Sequence, residues 1–336
     1  MASGQSWTAP ESLAPATTSW DLRPLSTGEI LDRTFQLYRS RFALFASLAA
    51  LPAAVRFVTG AIQLLVLPHL YPVHPGSHGI VNPRPWLSAG VSLAFLFVYF
   101  VFYGITQAAT TWAVAEIYLG KAASIRAAWH AALAHWVRYV LVTLRQWWSI
   151  GWWPTLSFIV LIVAVTVPSI MGTSGFIVGI VAFLFGLQLL ASCLYAVWAA
   201  LKVSLAVPAS VLESLGPNTA VRRSIALLPQ RKGRIFLLGL LIYAMTIVFS
   251  MVLIPVAFIA LRAHGAERYI LQMLQLVVGF FSSLLIGPVA AIALCLFYFD
   301  ERVRHEGFDI EFLMQRASPP PPPNPVAEEN PSPEPV

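Results

Sequence analysis

The sequence predicts an all-α, polytopic membrane protein with six transmembrane helices arranged as three hairpins, accompanied by amphipathic interfacial helices. Hydrophobic residues make up 58% of the 336 residues and charged residues only 11%, whereas a water-soluble domain carries about 25% charged residues. Residues 146–201 contain no Asp, Glu, Lys, Arg or His. A helix needs roughly 20 apolar residues to cross the hydrocarbon core, so this run predicts two crossings joined by a turn at residues 168–175.

The segment before the first crossing predicts a capped helix with two faces. Ser26 can act as the N-cap, and Glu29 follows three residues later, as in a capping box. Leu25 and Ile30 are spaced for a hydrophobic staple. The predicted apolar face of the helix consists of Ile30, Leu31, Phe35, Tyr38 and Phe42. Such a helix can lie in the headgroup plane; a short soluble helix before the first span is the alternative.

The predicted crossings divide the chain into regular units. They cover residues 42–67, which Pro52 and Arg56 interrupt, 87–120, two segments within 146–201, 235–261 and 269–299. Basic stretches at 121–145 and 202–234 separate the hairpins, with predicted helix starts at Ser124 and at Asn218-Thr219. Residues 23–313 therefore form the membrane domain. Residues 1–22 and the Pro-rich residues 314–336 are predicted to be disordered tails.

The distribution of Lys and Arg predicts the orientation in the membrane. Of the 21 such residues, 17 lie before the first crossing, between hairpins or after the last crossing. Only Arg84, Arg262 and Arg268 lie on the opposite side. The positive-inside rule places both termini in the cytoplasm, and an even number of crossings requires the same. We expect a multi-pass protein of the cell membrane, of the bacterial plasma-membrane type.

The chain also shows a weak internal repeat. Ser26, Ser124 and Asn218 each open a two-faced segment that ends in basic residues and enters a crossing, and the openings are 98 and 94 residues apart. This spacing predicts a unit of one surface helix and two crossings, used three times. Chance periodicity of membrane hairpins is the alternative.

A charged string follows the sixth crossing, from Tyr298 to Asp309. Asp300 with Arg304, and Arg302 with Glu306, are spaced as i,i+4 ion pairs on a continuing helix, and Gly307 is a natural helix stop. The spacing alone is thus typical of a solvated, capped helix end. The candidate motif residues are Tyr298, Asp300, Arg302, Arg304, Glu306, Gly307 and Asp309.

The same string resembles the end of the membrane domain found in the glycerophosphoryl diester phosphodiesterase family. Three further stretches resemble that domain, at residues 24–42, 115–120 and 211–224, so the resemblance covers nearly all of residues 23–313. It implies a membrane domain that either precedes a catalytic barrel or stands alone. A TIM barrel needs at least about 200 residues, and only a short Pro-rich tail follows Arg316. We therefore expect no hydrolase activity.

Polar residues within the crossings form the candidate intramembrane site. Arg56 lies roughly 21 Å along a helix that begins at Phe42, and a charge at that depth usually faces a partner or a wet cavity. We expect Arg56 to face the bundle interior, with Glu116 as a possible counter-ion. The alternative is that Pro52 breaks the span and Arg56 snorkels to an interface. The complete candidate set is Arg56, Gln107, Thr110, Thr111, Glu116 and Gln188.

The leading functional hypothesis is a non-catalytic membrane scaffold or accessory module. It would engage membrane lipids through anionic headgroups, together with protein partners, and would not bind nucleic acid. The alternative is a transporter for a small solute or a lipid. Convergence of the six candidate residues on one interior surface favours transport, whereas their dispersal towards lipid favours a scaffold.

No cofactor and no metal are expected from the sequence. Cys193 and Cys295 lie within apolar runs, which argues against a thiolate site. His69, His74 and His78 lie in a Pro-rich loop, where metal binding is the less frequent outcome and solvation the more frequent one.

The predicted orientation can be tested with a reporter that is active only in the cytoplasm. Fused behind Val336, the reporter will be active, because the basic segments keep both termini inside. Export of the Pro-rich tail, or an odd number of crossings in a fusion series, would contradict the predicted topology.

Overall fold

The computed structural model describes residues 24–66, 83–172, 174–228, 232–263 and 265–307, together with residues 310 and 314. Across these ranges the regular structure is helical and contains no strand, which confirms the predicted all-α class. The α-helices are α1 (Thr27–Ser40), α2 (Phe42–Ala61), α3 (Pro83–Tyr118), α4 (Ile125–Ala134), α5 (Trp136–Ile170), α6 (Gly175–Val203), α7 (Ala206–Leu212), α8 (Pro217–Leu227), α9 (Lys232–Arg262) and α10 (Ala266–Glu306).

Several helices have the length and composition of membrane spans. In the described ranges these are Phe42–Val66, Ala89–Tyr118, Trp136–Ile170, Gly175–Leu212 and Ala266–Glu306. Helix α9 adds a sixth if its two halves, Gly233–Val248 and Leu253–Ala260, which meet at 46°, are counted as one span. The protein therefore has the helices of a multi-pass membrane protein, as predicted.

Helix α1 begins with the predicted capping box. The Ser26 hydroxyl accepts a hydrogen bond from the Glu29 amide, and the Glu29 carboxylate accepts one from the Ser26 amide. The buried face differs from the predicted one, because it consists of Ile30, Thr34 and Leu37, whereas Phe35 is exposed. These three residues follow the i, i+4, i+7 spacing of one helix face, and that face packs against α10.

Helix α2 passes through Pro52 without a break and ends in a π-helical turn at Ile62–Val66. Proline has no N–H and leaves the carbonyl four residues earlier without its helical partner. Here the Thr106 hydroxyl of α3 donates to the Leu48 carbonyl at 3.4 Å. The proline is tolerated because the neighbouring helix supplies the missing donor.

The long uncharged run is divided between α5 and α6, as predicted. The boundaries differ, since α5 begins at Trp136 and runs through Pro168 to Ile170, so the turn is shorter than the predicted 168–175. Pro154 and Pro168 both lie within α5, and each removes one helical hydrogen bond.

The predicted cap at Asn218-Thr219 is wrong. Helix α8 has Gly216 at its N-cap and Pro217 in its first turn. Proline is favoured there because its missing N–H has no partner in the first turn of a helix. The Asn218 side chain instead accepts a hydrogen bond from Arg145 at 3.3 Å.

The main buried cluster lies at one end of the long helices. It joins the starts of α2, α5 and α9 to the ends of α3 and α10, and the short helices α1, α4 and α8 contribute residues to it. Phe45, Tyr298 and Phe299 are among its largest fully buried side chains. We call this region the charged end of the bundle, because the ion pairs of Asp300 and Glu301 also lie there. Away from it, α5, α6 and α9 expose most of their large apolar side chains.

The helices pack in a consistent order. Helix α2 packs against α3 and α10, α3 also packs against α5, α5 against α6, and α9 against α10. Helices α6 and α9 touch each other only slightly. We call this weak contact the α6–α9 seam.

A substitution at Gly104 tests the packing of α3 against α5. A Cβ atom there would lie 3.0 Å from the Thr143 hydroxyl oxygen and 3.3 Å from the Val140 Cα. Gly104→Val will lower the free energy of unfolding by about 1–3 kcal/mol through overpacking. Gly186→Val is the matched control, because nothing lies within 4 Å of that site. The measurement is thermal exposure of the buried Cys295 thiol in a Cys193→Ser background; equal effects of the two variants would contradict the described packing.

Candidate functional site

A cavity of about 230 Å³ lies among α2, α3 and α10, with one residue from α9 at its rim. Small side chains and two prolines leave the room for it: Ala49, Pro52, Ala53, Gly287, Pro288 and Ala291. The polar side chains that line it are Arg56, Tyr99, Tyr103, Thr106, Gln107, Thr110, Thr246, Ser282 and Ser283. We call this space the intramembrane cavity, since its walls belong to candidate spans.

Arg56 supplies the charge of the intramembrane cavity. It lies ten residues before the end of the Phe42–Val66 span, which is about 15 Å along a helix. The side chain is exposed to the cavity, and among the described residues its guanidinium has no hydrogen-bond or ion-pair partner. Helix α2 is not broken at Pro52, and the orientation of Arg56 towards the bundle interior stays a prediction.

A hydrogen-bonded row on α3 forms one wall of the cavity. Tyr99 and Tyr103 stack with ring centroids 5.6 Å apart, and the Gln107 amide donates to the Tyr103 hydroxyl oxygen at 2.7 Å. Their spacing of four residues puts all three on the same helix face. Because the Tyr103 oxygen accepts from Gln107, its own hydroxyl proton is available to a further acceptor.

A second, smaller cavity of about 100 Å³ adjoins the first. It shares Tyr103, Gln107 and Ala291 with the intramembrane cavity and adds Thr111 and Gln146 among its polar lining residues. The Gln146 amide donates to the Val203 carbonyl at 3.0 Å. Polar side chains therefore continue from Arg56 towards the charged end.

Four of the six candidate intramembrane residues come together. Arg56, Gln107 and Thr110 line the intramembrane cavity, and Thr111 lines the adjoining one. Glu116 forms its ion pair with Lys121 at 3.4 Å, so the proposed Glu116–Arg56 pair is not formed. Gln188 is exposed on α6, in a separate crevice with Trp153 and Phe185.

The sequence prediction missed six polar residues of the cavity lining: Tyr99, Tyr103, Thr106, Thr246, Ser282 and Ser283. The tyrosines could have been found, because 99, 103 and 107 repeat every four residues and mark one face of α3. Nothing in the sequence pairs the two serines of α10 with Arg56 of α2, since that proximity results from the packing of distant helices.

The charged end contains a second polar cluster, centred on two buried carboxylates. Asp300 accepts from the Leu25 amide at 2.6 Å and forms ion pairs with Arg234 at 2.9 Å and Arg304 at 3.0 Å. Glu301 pairs with Arg234 at 3.2 Å, and His305 lies 3.2 Å from its other oxygen. Both carboxylate side chains are fully buried. They tie the N-terminal segment and the start of α9 to the end of α10.

Glu213 and Glu306 form the other half of this cluster. Arg223 makes ion pairs with both carboxylates, the Tyr298 hydroxyl donates to Glu213, and Arg302 lies 3.0 Å from Glu306. Burial alone would lower the pKa of Arg223, but hydrogen bonds to Glu213 and Glu306 and their charges outweigh it and raise the pKa above its ordinary value. The guanidinium is thus held charged.

The motif residues of the charged string belong to this cluster. Both predicted i,i+4 pairs, Asp300–Arg304 and Arg302–Glu306, are present, and Gly307 ends α10 with a left-handed φ of 64°. Asp309 lies outside the described residues, as do His69, His74 and His78.

The four stretches singled out by sequence resemblance meet at the charged end. The Arg33 guanidinium donates to the Tyr118 hydroxyl at 3.4 Å, and the Tyr118 ring stacks on Phe299 at 5.1 Å. Glu213 and Arg223 of the third stretch join the end of α10 through the contacts described above. We call the ion pairs that Asp300, Glu301, Glu213 and Glu306 form with arginine the ionic clamp. Each of its four carboxylates is paired with arginine, so its geometry is that of a structural brace.

Neither cluster offers a metal site on the described part of the chain. No three His, Cys, Asp or Glu side chains there are grouped so as to hold a metal ion. Comparison of the chain with family models, with curated proteins and with solved structures finds no match. The functional assignment therefore rests on the geometry of the intramembrane cavity and the ionic clamp.

Asp300→Asn tests the ionic clamp. The variant keeps the shape of the side chain but removes the charge that Arg234 and Arg304 share, and breaking a buried pair costs about 3–5 kcal/mol. We expect a loss of that size in the free energy of unfolding, measured by exposure of the Cys295 thiol. Asp32→Asn is the control, because Asp32 is exposed on α1, and it will change stability by no more than about 0.5 kcal/mol. Equal stability of the two variants would contradict a stabilising role for Asp300.

Proposed function

We propose that this protein is a six-span membrane transporter that binds a small polar solute or a lipid headgroup in its intramembrane cavity. The observation that carries the proposal is the convergence of Arg56, Gln107 and Thr110 on that cavity. Polar and ionisable side chains are expensive within the hydrocarbon region and mark substrate pathways when they face the bundle interior. The smaller cavity beyond Gln107 extends the polar surface towards the charged end.

The proposed architecture comprises three hairpins, each preceded by a surface helix. In this arrangement α1 precedes α2 and α3, α4 precedes α5 and α6, and α8 precedes α9 and α10. It is supported by the direct packing within each pair of long helices and by the neighbouring positions of α3 and α5, α6 and α9, and α10 and α2. Counting the two halves of α9 as one span gives the six crossings. Both termini would then be cytoplasmic in the cell membrane.

The scaffold hypothesis remains the second candidate function. It is favoured by the exposed position of Gln188 and by the pairing of Glu116 with Lys121 outside the intramembrane cavity. Against the scaffold hypothesis, a scaffold has no need of a cavity lined by a charged side chain and several hydroxyl groups. The exposed basic residues of a scaffold would act on anionic lipid headgroups instead.

The resemblance to the membrane domain of the glycerophosphoryl diester phosphodiesterase family is also kept as a proposal. It is supported by the contacts that bring the four resembling stretches together in the ionic clamp. On this proposal the chain carries the membrane domain of that family, and the residues that resemble it serve the fold of the charged end.

Two glutamines provide the test of transport against scaffolding. Gln107 lines the intramembrane cavity, whereas Gln188 is exposed on α6, so Gln107→Leu and Gln188→Leu are matched variants. The full chain is purified in native lipid nanodiscs, and co-purifying lipids and solutes are quantified by mass spectrometry. A ligand will co-purify with the natural protein and with Gln188→Leu, and will fall about tenfold with Gln107→Leu, the effect of losing one good hydrogen bond. A folded Gln107→Leu variant that keeps the same co-purifying ligands would contradict the proposed transporter.

A further inference from the structure

We infer that the ligand of the intramembrane cavity is an oxyanion, a phosphate or carboxylate group, which pairs with Arg56. This inference rests on the proposed function and names the chemical class that the site takes. The group belongs either to a lipid headgroup or to a free solute, and the two sources share the same recognition chemistry.

The charge balance of the cavity leads to this assignment. Arg56 is the sole charged side chain among the described residues that line it, and no described carboxylate pairs with it. Arginine side chains are not deprotonated in proteins, so the charge remains to be balanced. The nearest candidate acid along α3, Glu116, is taken by Lys121. A cation in a span that has no counter-ion on the described part of the chain therefore favours an anionic ligand.

The remaining lining supplies hydrogen-bond donors that suit an oxyanion. The Tyr103 hydroxyl accepts from Gln107 at 2.7 Å, so its proton points to another acceptor. Ser282 and Ser283 add two hydroxyl groups from α10 to the lining. A planar guanidinium surrounded by hydroxyl donors binds phosphate and carboxylate oxygens with charge-assisted hydrogen bonds.

The size of the cavity limits what enters it. About 230 Å³ is smaller than the roughly 300–1,000 Å³ of pockets that bury drug-sized molecules. A phosphate or carboxylate headgroup fits such a space, and the acyl chains of a lipid would have to remain outside it.

Thr246, the single contribution of α9 to the lining, is exposed at the rim, and α9 touches α6 only slightly. The rim at Thr246 is thus the side on which acyl chains could leave the cavity.

The test compares Arg56→Gln, which removes the charge, with Arg56→Lys, which keeps it. Arg262→Gln is the control, since Arg262 is exposed at the end of α9 and outside the cavity lining. The full chain is placed in phosphatidylcholine nanodiscs. One arm adds inorganic phosphate or acetate, and the other adds phosphatidylglycerol to the discs. Binding is read from the concentration dependence of thermal stabilisation and from native mass spectrometry.

We expect anion affinity to fall about tenfold or more with Arg56→Gln, to persist with Arg56→Lys and to be unchanged with Arg262→Gln. Stabilisation by phosphatidylglycerol alone identifies a lipid headgroup as the source, and stabilisation by phosphate or acetate identifies a free solute. Equal anion binding by the natural protein and a folded Arg56→Gln variant, or no anion binding in either arm, overturns the inference. The proposed function survives that result if a neutral ligand is still lost with Gln107→Leu, and fails if no ligand depends on Gln107.

Discussion

A charged side chain that leaves water needs a partner of opposite charge, and both polar regions of this molecule depend on that requirement. At the charged end, the buried Asp300 and Glu301 carboxylates are compensated by Arg234, Arg304 and a backbone amide. A buried carboxylate without such partners would cost several kcal/mol. In the intramembrane cavity the opposite holds, because Arg56 has no partner among the described residues. The contrast separates a cluster whose charges are paired within the chain from a cavity whose charged side chain has no such pair among the described residues.

Two prolines line the intramembrane cavity, and the carbonyl that each one deprives of its helical partner finds another donor. Pro52 and Pro288 both line the intramembrane cavity, and each removes the hydrogen bond of the carbonyl four residues earlier. The Leu48 carbonyl accepts from Thr106, and the Leu284 carbonyl accepts from the Tyr38 hydroxyl at 3.4 Å. A neighbouring helix thus replaces each lost bond, as the absence of water in a bilayer requires. The cavity and the helix packing around it are therefore parts of one arrangement.

The helix contacts are distributed unevenly around the bundle. The ionic clamp and the buried cluster hold α1, α8, α9 and α10 together at the charged end, whereas α6 and α9 contact each other only weakly. Elements with few buried contacts open at lower free energy than well-packed ones. The α6–α9 seam is consequently the part of the bundle in which a lateral opening would break the fewest contacts.

Composition and local pattern determined the class of this protein, because hydrophobic run length and capping are properties of neighbouring residues. The helical spans, the Ser26–Glu29 capping box and the i,i+4 pairs of α10 all follow from such local rules. Local rules failed where a distant helix decides the outcome. The buried face of α1 was set by its packing against α10. Only the tertiary structure brought Ser282 and Ser283 beside Arg56 and joined Leu25 to Asp300, since these contacts link residues more than 200 positions apart in the sequence.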